Sequence, residues 1–238
     1  INITKVHLIA VGGVIMHNLA IHLKEQGHQV TGSDDEIGEP SRSRLTSHGL
    51  LPSELGWFPE KITSGVDKVI LGMHARLDNP ELQKAIELKI PVLSYPQFIY
   101  ESSLNKQRIV IGGSHGKTTI TSMILHVLKH HKREFDYLVG AQLKGFENMV
   151  RLSKKAPIII LEGDEYPSSA LDTRPKFHVY KHHIGVISGI SWDHINVFKT
   201  KEDYQNQFKI FADQTPLSGS LIYCKDEPEV QGISATER

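Results

Sequence analysis

The chain has 238 residues, and at roughly 150 residues per domain that length predicts between one and two domains. Lys plus Arg number 27 and Asp plus Glu number 27, so no excess positive field exists to gather nucleic acid or an anionic membrane surface. Apolar residues make up 39% and charged residues 23%, an ordinary globular mix, while a lone Cys224 excludes an internal disulfide and predicts a reducing, cytoplasmic compartment.

Lys5-Val6-His7-Leu8-Ile9-Ala10-Val11 is apolar enough to be a strand buried on both faces, and no secretory leader is expected before it. Gly12-Gly13 follows, and Met16, Leu19, Ala20 and Leu23 then recur at helical spacing until Gly27. His28 to Asp34 reads as the next strand, which completes a βαβ unit with a parallel sheet. The alternation continues with a strand at Lys68 to Gly72, a helix from Asn79 to Leu88 opened by Pro80, and a strand at Pro91 to Ser94. A polar stretch from Glu101 to Gln107 predicts a linker, so the domains are expected at residues 1–104 and 105–238. Arg108 to Gly113 restarts the pattern. No apolar run approaches the roughly 20 residues that span a bilayer.

The second glycine loop carries the strongest chemistry. Gly112-Gly113-Ser114-His115-Gly116-Lys117-Thr118-Thr119 lies between a buried strand and a helix with Ile120, Met123, Ile124, Val127 and Leu128 expected on its buried side. Glycines let backbone N–H groups turn inward around phosphate oxygens, Lys117 supplies charge for the terminal phosphates, and Thr118 supplies a hydroxyl for Mg²⁺. The usual first glycine is replaced by Ile111, so the loop is one residue short.

Further on, Pro157 to Leu161 is a strand ending in Glu162-Gly163-Asp164-Glu165, and Ile184 to Ile190 is a strand ending in Ser191-Trp192-Asp193-His194. Carboxylates and a neutral imidazole at neighbouring strand ends suit a divalent cation shared with a nucleotide. His130-His131 and His182-His183 are expected on solvated ends of elements, and Ser220 to Cys224 as a last strand. In the first unit, Asp34 lies about twenty residues past the glycines, as in dinucleotide sites, but Gly12-Gly13-Val14-Ile15-Met16 lacks the third glycine. A nucleotide-diphosphate conjugate fits this loop as well as NAD does. A non-catalytic nucleotide-binding module is a further alternative.

These residues resemble the Mur ligases, which join amino acids or peptides to UDP-N-acetylmuramic acid. The likeness rests on Val11 to Met16, Gly32-Ser33-Asp34, Asn79-Pro80-Glu81, Gly113 to Thr119, Glu162 to Glu165 and Asp193-His194, in family order along the chain. It implies an N-terminal Rossmann-like parallel-sheet domain that binds the UDP-sugar, followed by an incomplete P-loop NTPase-like central domain. It also implies ATP and Mg²⁺. Gly113, Ser114, His115, Gly116, Lys117, Thr118 and Thr119 would bind ATP, with Thr118 on the first Mg²⁺ and Glu162 and His194 on the second. Lys117, Glu162 and His194 would be catalytic, while Gly12, Gly13, Val14, Ile15, Met16, Asp34, His74 and Asn79 would hold the UDP part.

Two departures from the family pattern stand out: Gly189 and Ser191 replace its Asn and Glu, and its paired serines are missing around His74-Ala75. Val150-Arg151-Leu152, Glu165-Tyr166 and Asp172-x-Arg174-x-Lys176-Phe177 look more like the branch that adds the tripeptide L-alanyl-γ-D-glutamyl-meso-diaminopimelate in murein recycling than the branch that adds L-alanine. The resemblance further implies a longer, three-domain enzyme. This chain is therefore expected to be a fragment that ligates nothing by itself, and an unpaired sheet edge is expected to favour a homo-oligomer.

Overall fold

The computed structural model describes residues 3–192 and 197–234. The chain divides into two compact units. The first comprises Ile1–Phe98 with Asn148–Val150 and Pro167–Thr173, and the second comprises Ile99–Glu147, Arg151–Tyr166 and Arg174–Arg238.

The first unit runs β1 (Lys5–Ile9), α1 (Val14–Glu25), β2 (Gln29–Ser33), α2 (Ser41–Ser47), β3 (Lys68–Leu71), α3 (Pro80–Glu87) and β4 (Val92–Ser94). Its strands pair in parallel in the order β2-β1-β3-β4, with Ile9 opposite both Ser33 and Leu71. The order reverses at β1 and β3, so the carboxyl ends of these strands frame the crevice where such sheets bind ligands. Helix α1 buries Met16, Leu19, Ala20 and Leu23, the stripe that the spacing predicts. It stops at Gly27, whose positive φ of 88° suits the left-handed turn, and the His28 N–H reaches back to Leu23 O. Helix α3 starts where Asn79 Oδ1 accepts from the Glu81 and Leu82 N–H groups at 3.0 and 3.1 Å, and Pro80 occupies the first helical position.

One position in β1 is polar yet fully buried. His7 pairs Nδ1 with Thr31 Oγ1 at 2.8 Å and Nε2 with Glu81 Oε2 at 3.0 Å. Burial pushes the Glu81 carboxyl up, but bonds from His7, Ser33 and the Phe58 N–H outweigh it and hold the group below its ordinary value.

The second unit begins with α4 (Tyr95–Glu101), which brings the chain in from the first unit. It continues with β5 (Gln107–Gly112), α5 (Lys117–His130), β6 (Asp136–Leu138), β7 (Val150–Arg151) and β8 (Ile158–Glu162). A hairpin of β9 (Pro167–Ser169) and β10 (Asp172–Pro175), whose residues up to Thr173 count with the first unit, leads to α6 (Lys176–Val179), β11 (Ile184–Ile187), α7 (Lys201–Asp213), β12 (Ser220–Tyr223) and α8 (Pro228–Ser234) of the second. The main sheet has the order β12-β11-β5-β8-β6-β7, and β12, β11, β5, β8 and β6 pair in parallel. The α/β parallel-sheet class read from the sequence is thereby met.

Three expectations need correction. Helix α5 buries Thr121 and Leu125, while Met123 and Val127 are 62% and 57% exposed, so its inner face is turned away from the expected one. His182 is buried, with Nε2 2.8 Å from Thr215 Oγ1 and its ring 4.1 Å from that of Phe211, and His183 Nδ1 accepts the Arg108 N–H; neither lies on a solvated end. The polar stretch before β5 is not a loose tether. Lys106 is buried and gives its ammonium to Ser153 O, Ala156 O and Asp136, and Ser103 is buried as well. Arg108, at the start of β5, spreads its guanidinium over four carbonyls, those of Tyr180, Lys181, Ser103 and Lys106.

Candidate functional site

In the second unit β5 delivers the chain to a turn whose two glycines have positive φ, 129° at Gly113 and 78° at Gly116. A Cβ on Gly113 would collide with Ser188 Oγ and stand 2.9 Å from Ser188 N, so only glycine fits there. Gly116 is the N-cap of α5 and offers no side chain to it, which leaves the first-turn N–H groups of a 14-residue helix free of any side-chain cap. Backbone donors and the positive helix end together suit phosphate oxygens.

Ser114 and Gly189 hold the loop to the end of β11. Ser114 N–H donates to Gly189 O at 3.0 Å, and Ser191 N–H donates to Ser114 Oγ at 2.9 Å. Gly189 and Ser191, which depart from the family pattern, thus act here through their backbones, and Gly189 has a positive φ of 153° that suits glycine. The Ser188 hydroxyl donates to His115 O and to Gly112 O.

Two side chains of the loop meet the acidic end of β8. Thr118 Oγ1 donates to Glu162 Oε1 at 2.7 Å, and the other oxygen of Glu162 accepts the Gly140 N–H at 2.8 Å. Lys117 Nζ lies 2.5 Å from Gly113 O and 3.1 Å from Glu165 Oε2. Glu165 is fully buried, and its second oxygen accepts the Tyr204 hydroxyl at 3.1 Å. Asp164 pairs with Lys176 at 2.7 and 2.9 Å. Thr118 and Glu162 present hard oxygen donors side by side, the donor set that Mg²⁺ takes, so these two residues would hold it. His115 and Thr119 are exposed at the loop's surface, and His194 lies outside the described residues.

The sequence reading did not single out Tyr204, Ser188 or Gly140, and gave Glu165 no separate role. Gly140 follows the buried run Tyr137-Leu138-Val139 directly, a signal of a strand-end turn that was available.

In the first unit the Gly12 N–H donates to Asp34 Oδ2 at 2.7 Å, and a Cβ on Gly12 would stand 2.9 Å from that oxygen. Asp34 therefore clamps the glycine turn. Burial pushes its carboxyl up, and the Gly12 and Glu36 N–H groups pull it back only in part. Gly13 is the N-cap of α1 without a side-chain cap, and Val14 stands exposed at that helix end. Ile15 is half-buried and Met16 is buried, so Met16 reaches the turn only through its backbone. His17 Nδ1 bonds Gly13 O and the Ser41 hydroxyl, each at 2.9 Å, and Nε2 accepts from the Asn18 amide. His74 is exposed beyond β3, whereas the Oδ1 of Asn79 is occupied in capping α3.

A parallel-stranded sheet whose β5 leads through a glycine turn into α5, beside the acidic end of β8, defines a P-loop-type α/β unit preceded by a Rossmann-like one. Residues 5–107 match the catalytic domain of the Mur ligase family and residues 111–237 the Mur ligase middle domain. The chain belongs to the Mur ligase family.

UDP-N-acetylmuramate–L-alanine ligase of Clostridium kluyveri is 35% identical over 230 residues, 96% of this chain and 48% of that protein. The same-named protein of Clostridium acetobutylicum is 36% identical over 97% of this chain and 48% of its own length. The chain spans about half the length of the curated relatives it matches. Among solved structures, the UDP-N-acetylmuramate:L-alanyl-γ-D-glutamyl-meso-diaminopimelate ligase from Neisseria meningitides superimposes with a TM-score of 0.85 at 26% identity. That match covers 97% of this chain and 74% of that one. A murein peptide ligase from Psychrobacter arcticus shares the fold, with a TM-score of 0.82 at 23% identity over 98% and 51% of the two chains.

Proposed function

We propose that this chain is the nucleotide-binding part of an ATP-dependent ligase that joins the carboxylate of UDP-N-acetylmuramic acid to an amine in cell-wall metabolism. The observation that carries the reading is the convergence of Lys117 and Thr118 with Glu162 and Glu165 at the mouth of an uncapped helix end. A carboxylate is a poor electrophile at neutral pH. It therefore attacks the γ-phosphorus of ATP, giving an acyl phosphate and ADP, and the amine then displaces phosphate from the acyl carbon. Two anions must meet in the first step, so positive charge and N–H donors have to lie between them.

Lys117 and the first-turn amides of α5 face the terminal phosphates, and Thr118 with Glu162 would hold Mg²⁺, which would supply Lewis-acid charge when bound. In the first unit the Gly12–Met16 turn, backed by Asp34, takes the pyrophosphate of the UDP-sugar, with His74 and Asn79 on the β3–α3 connection beside it. A cytoplasmic setting follows from these substrates.

The amine is assigned as the tripeptide L-alanyl-γ-D-glutamyl-meso-diaminopimelate. Support comes from Glu165-Tyr166, the Asp172-x-Arg174-x-Lys176-Phe177 run and the high structural similarity to a tripeptide ligase. The second reading, L-alanine as the amine, is favoured by the names of the curated relatives. The protein that carries this chain, given ATP, Mg²⁺ and UDP-N-acetylmuramic acid, is expected to release phosphate with the tripeptide. Release with L-alanine alone moves the assignment to the second reading. Retained UDP-sugar binding with no release from either amine would make the protein a non-catalytic binding module.

A further inference from the structure

We propose that Glu165, backed by Tyr204, is a positioning residue that holds the Lys117 ammonium inside the phosphate loop before any nucleotide arrives. The inference rests on the reading of this loop as a triphosphate site and adds to it a residue outside the loop.

The argument is one of donors and surroundings. An ammonium has three N–H donors. Lys117 gives one to Gly113 O, within its own loop, and one to Glu165 Oε2. Among the described residues the third has no partner and is left for a phosphate oxygen, so the nucleotide does not have to displace Glu165 to gain the lysine. The carboxylate itself cannot swing away. Glu165 and Tyr204 are both 0% exposed, and the Tyr204 hydroxyl holds the second carboxylate oxygen from α7.

Tyr204 is in turn wedged by the rings of Phe198 and Phe208, 5.3 and 5.2 Å away. A flexible four-carbon side chain is thereby tied at its tip to the interior of the unit. Binding a phosphate to a lysine already fixed in place avoids the entropy of ordering it, which is the usual gain from preorganisation. Without this tie, the lysine would keep only its bond to Gly113 O, within a loop of its own chain.

The test measures two things on the same 238-residue chain. The first is affinity for a fluorescent ATP analogue with Mg²⁺, in the wild type and in Glu165→Gln, Glu165→Ala, Tyr204→Phe and Lys117→Ala. The second is acylation of Lys117 by an amine-reactive ester without nucleotide, located by peptide mass spectrometry and scaled to the exposed Lys154. Glu165→Ala is expected to weaken nucleotide binding about tenfold. Glu165→Gln, which keeps an oxygen for the ammonium, should recover most of that loss, and Tyr204→Phe should fall between them. Acylation of Lys117 should rise severalfold in Glu165→Ala and little in Glu165→Gln.

Wild-type affinity in Glu165→Ala, tighter binding in both Glu165 variants, or unchanged acylation would overturn the proposal. If the wild type binds no nucleotide, or Lys117→Ala binds as well as wild type, the triphosphate reading is what fails. The acylation comparison then still decides whether Glu165 holds the lysine.

Discussion

Lys117 has two attachments, and this changes how its replacement should be read. Its partner Glu165 is fully buried, and breaking a buried pair by removing one member leaves an uncompensated charge. Lys117→Ala is therefore expected to lower unfolding stability by about 3 kcal/mol in addition to abolishing nucleotide binding. The double variant Lys117→Met with Glu165→Gln should regain most of the stability in a urea titration and none of the binding, which separates the two roles. Gly113→Ala is expected to fail differently. Its Cβ would meet Ser188 at a positive φ, so nucleotide binding should vanish while the circular dichroism of the sheet stays near wild type.

Titration gives a third outcome at this scale. Burial holds the imidazoles of His17, His178 and His183 below the ordinary 6.5. The native state thus refuses protons that the unfolded chain accepts. Stability should be level above pH 7 and fall as pH drops below about 6.5, by at most about 1.4 kcal/mol per pH unit for each histidine. Urea midpoints across pH 7.5 to 5.5 would show it, and His17→Asn, which can keep a donor toward Gly13 O, should make the decline shallower.

At the scale of elements, β1 to β5, β8, β11 and β12 and the first helices were readable from the sequence, because apolar runs that end in glycine or polar residues have few other places to go in a parallel sheet, whereas the short β6, β7, β9 and β10 carry no such run. Strand β1 and helix α1 lie where periodicity puts them. Helix α5 was harder. Apolar residues occupy so many of its positions that Ile120-Met123-Ile124-Val127 and Thr121-Leu125 each make a stripe at helical spacing, and only packing against the sheet selects the second.

Helix α7 starts at its N-cap Thr200, whose Oγ1 accepts the Asp203 N–H. Its stripe Tyr204, Phe208 and Phe211 then supplies the inner wall behind Glu165. That Glu165 meets Lys117 could not be read from the sequence, because 48 residues separate them and no local pattern encodes the contact. Asn79 was legible as a residue of interest, but as the cap of α3 it has a structural duty as well. Asn79→Ala should cost about 1 kcal/mol in unfolding stability, measured by urea titration at pH 7.

For the molecule as a whole, the first strand of each main sheet leads into a helix with a glycine N-cap and no side-chain cap, Gly13 in one unit and Gly116 in the other. Each is expected to take its own phosphate-bearing ligand. A UDP-sugar and Mg²⁺-ATP should each raise the melting temperature by mass action, and Lys117→Ala should remove only the ATP increment. Loss of both increments in that variant would mean that a single site serves both ligands.

The base of the second sheet sets a condition on the rim. Arg108 ties four carbonyls with two of its nitrogens, a task for a planar fork and not for the point charge of a lysine. The strand it anchors runs on to Gly112, roughly 13 Å away at the usual rise per residue. The accuracy of the phosphate loop is thus inherited from a rivet at the far end of its own strand. Replacing that guanidinium would loosen the glycine turn from the opposite end of the strand.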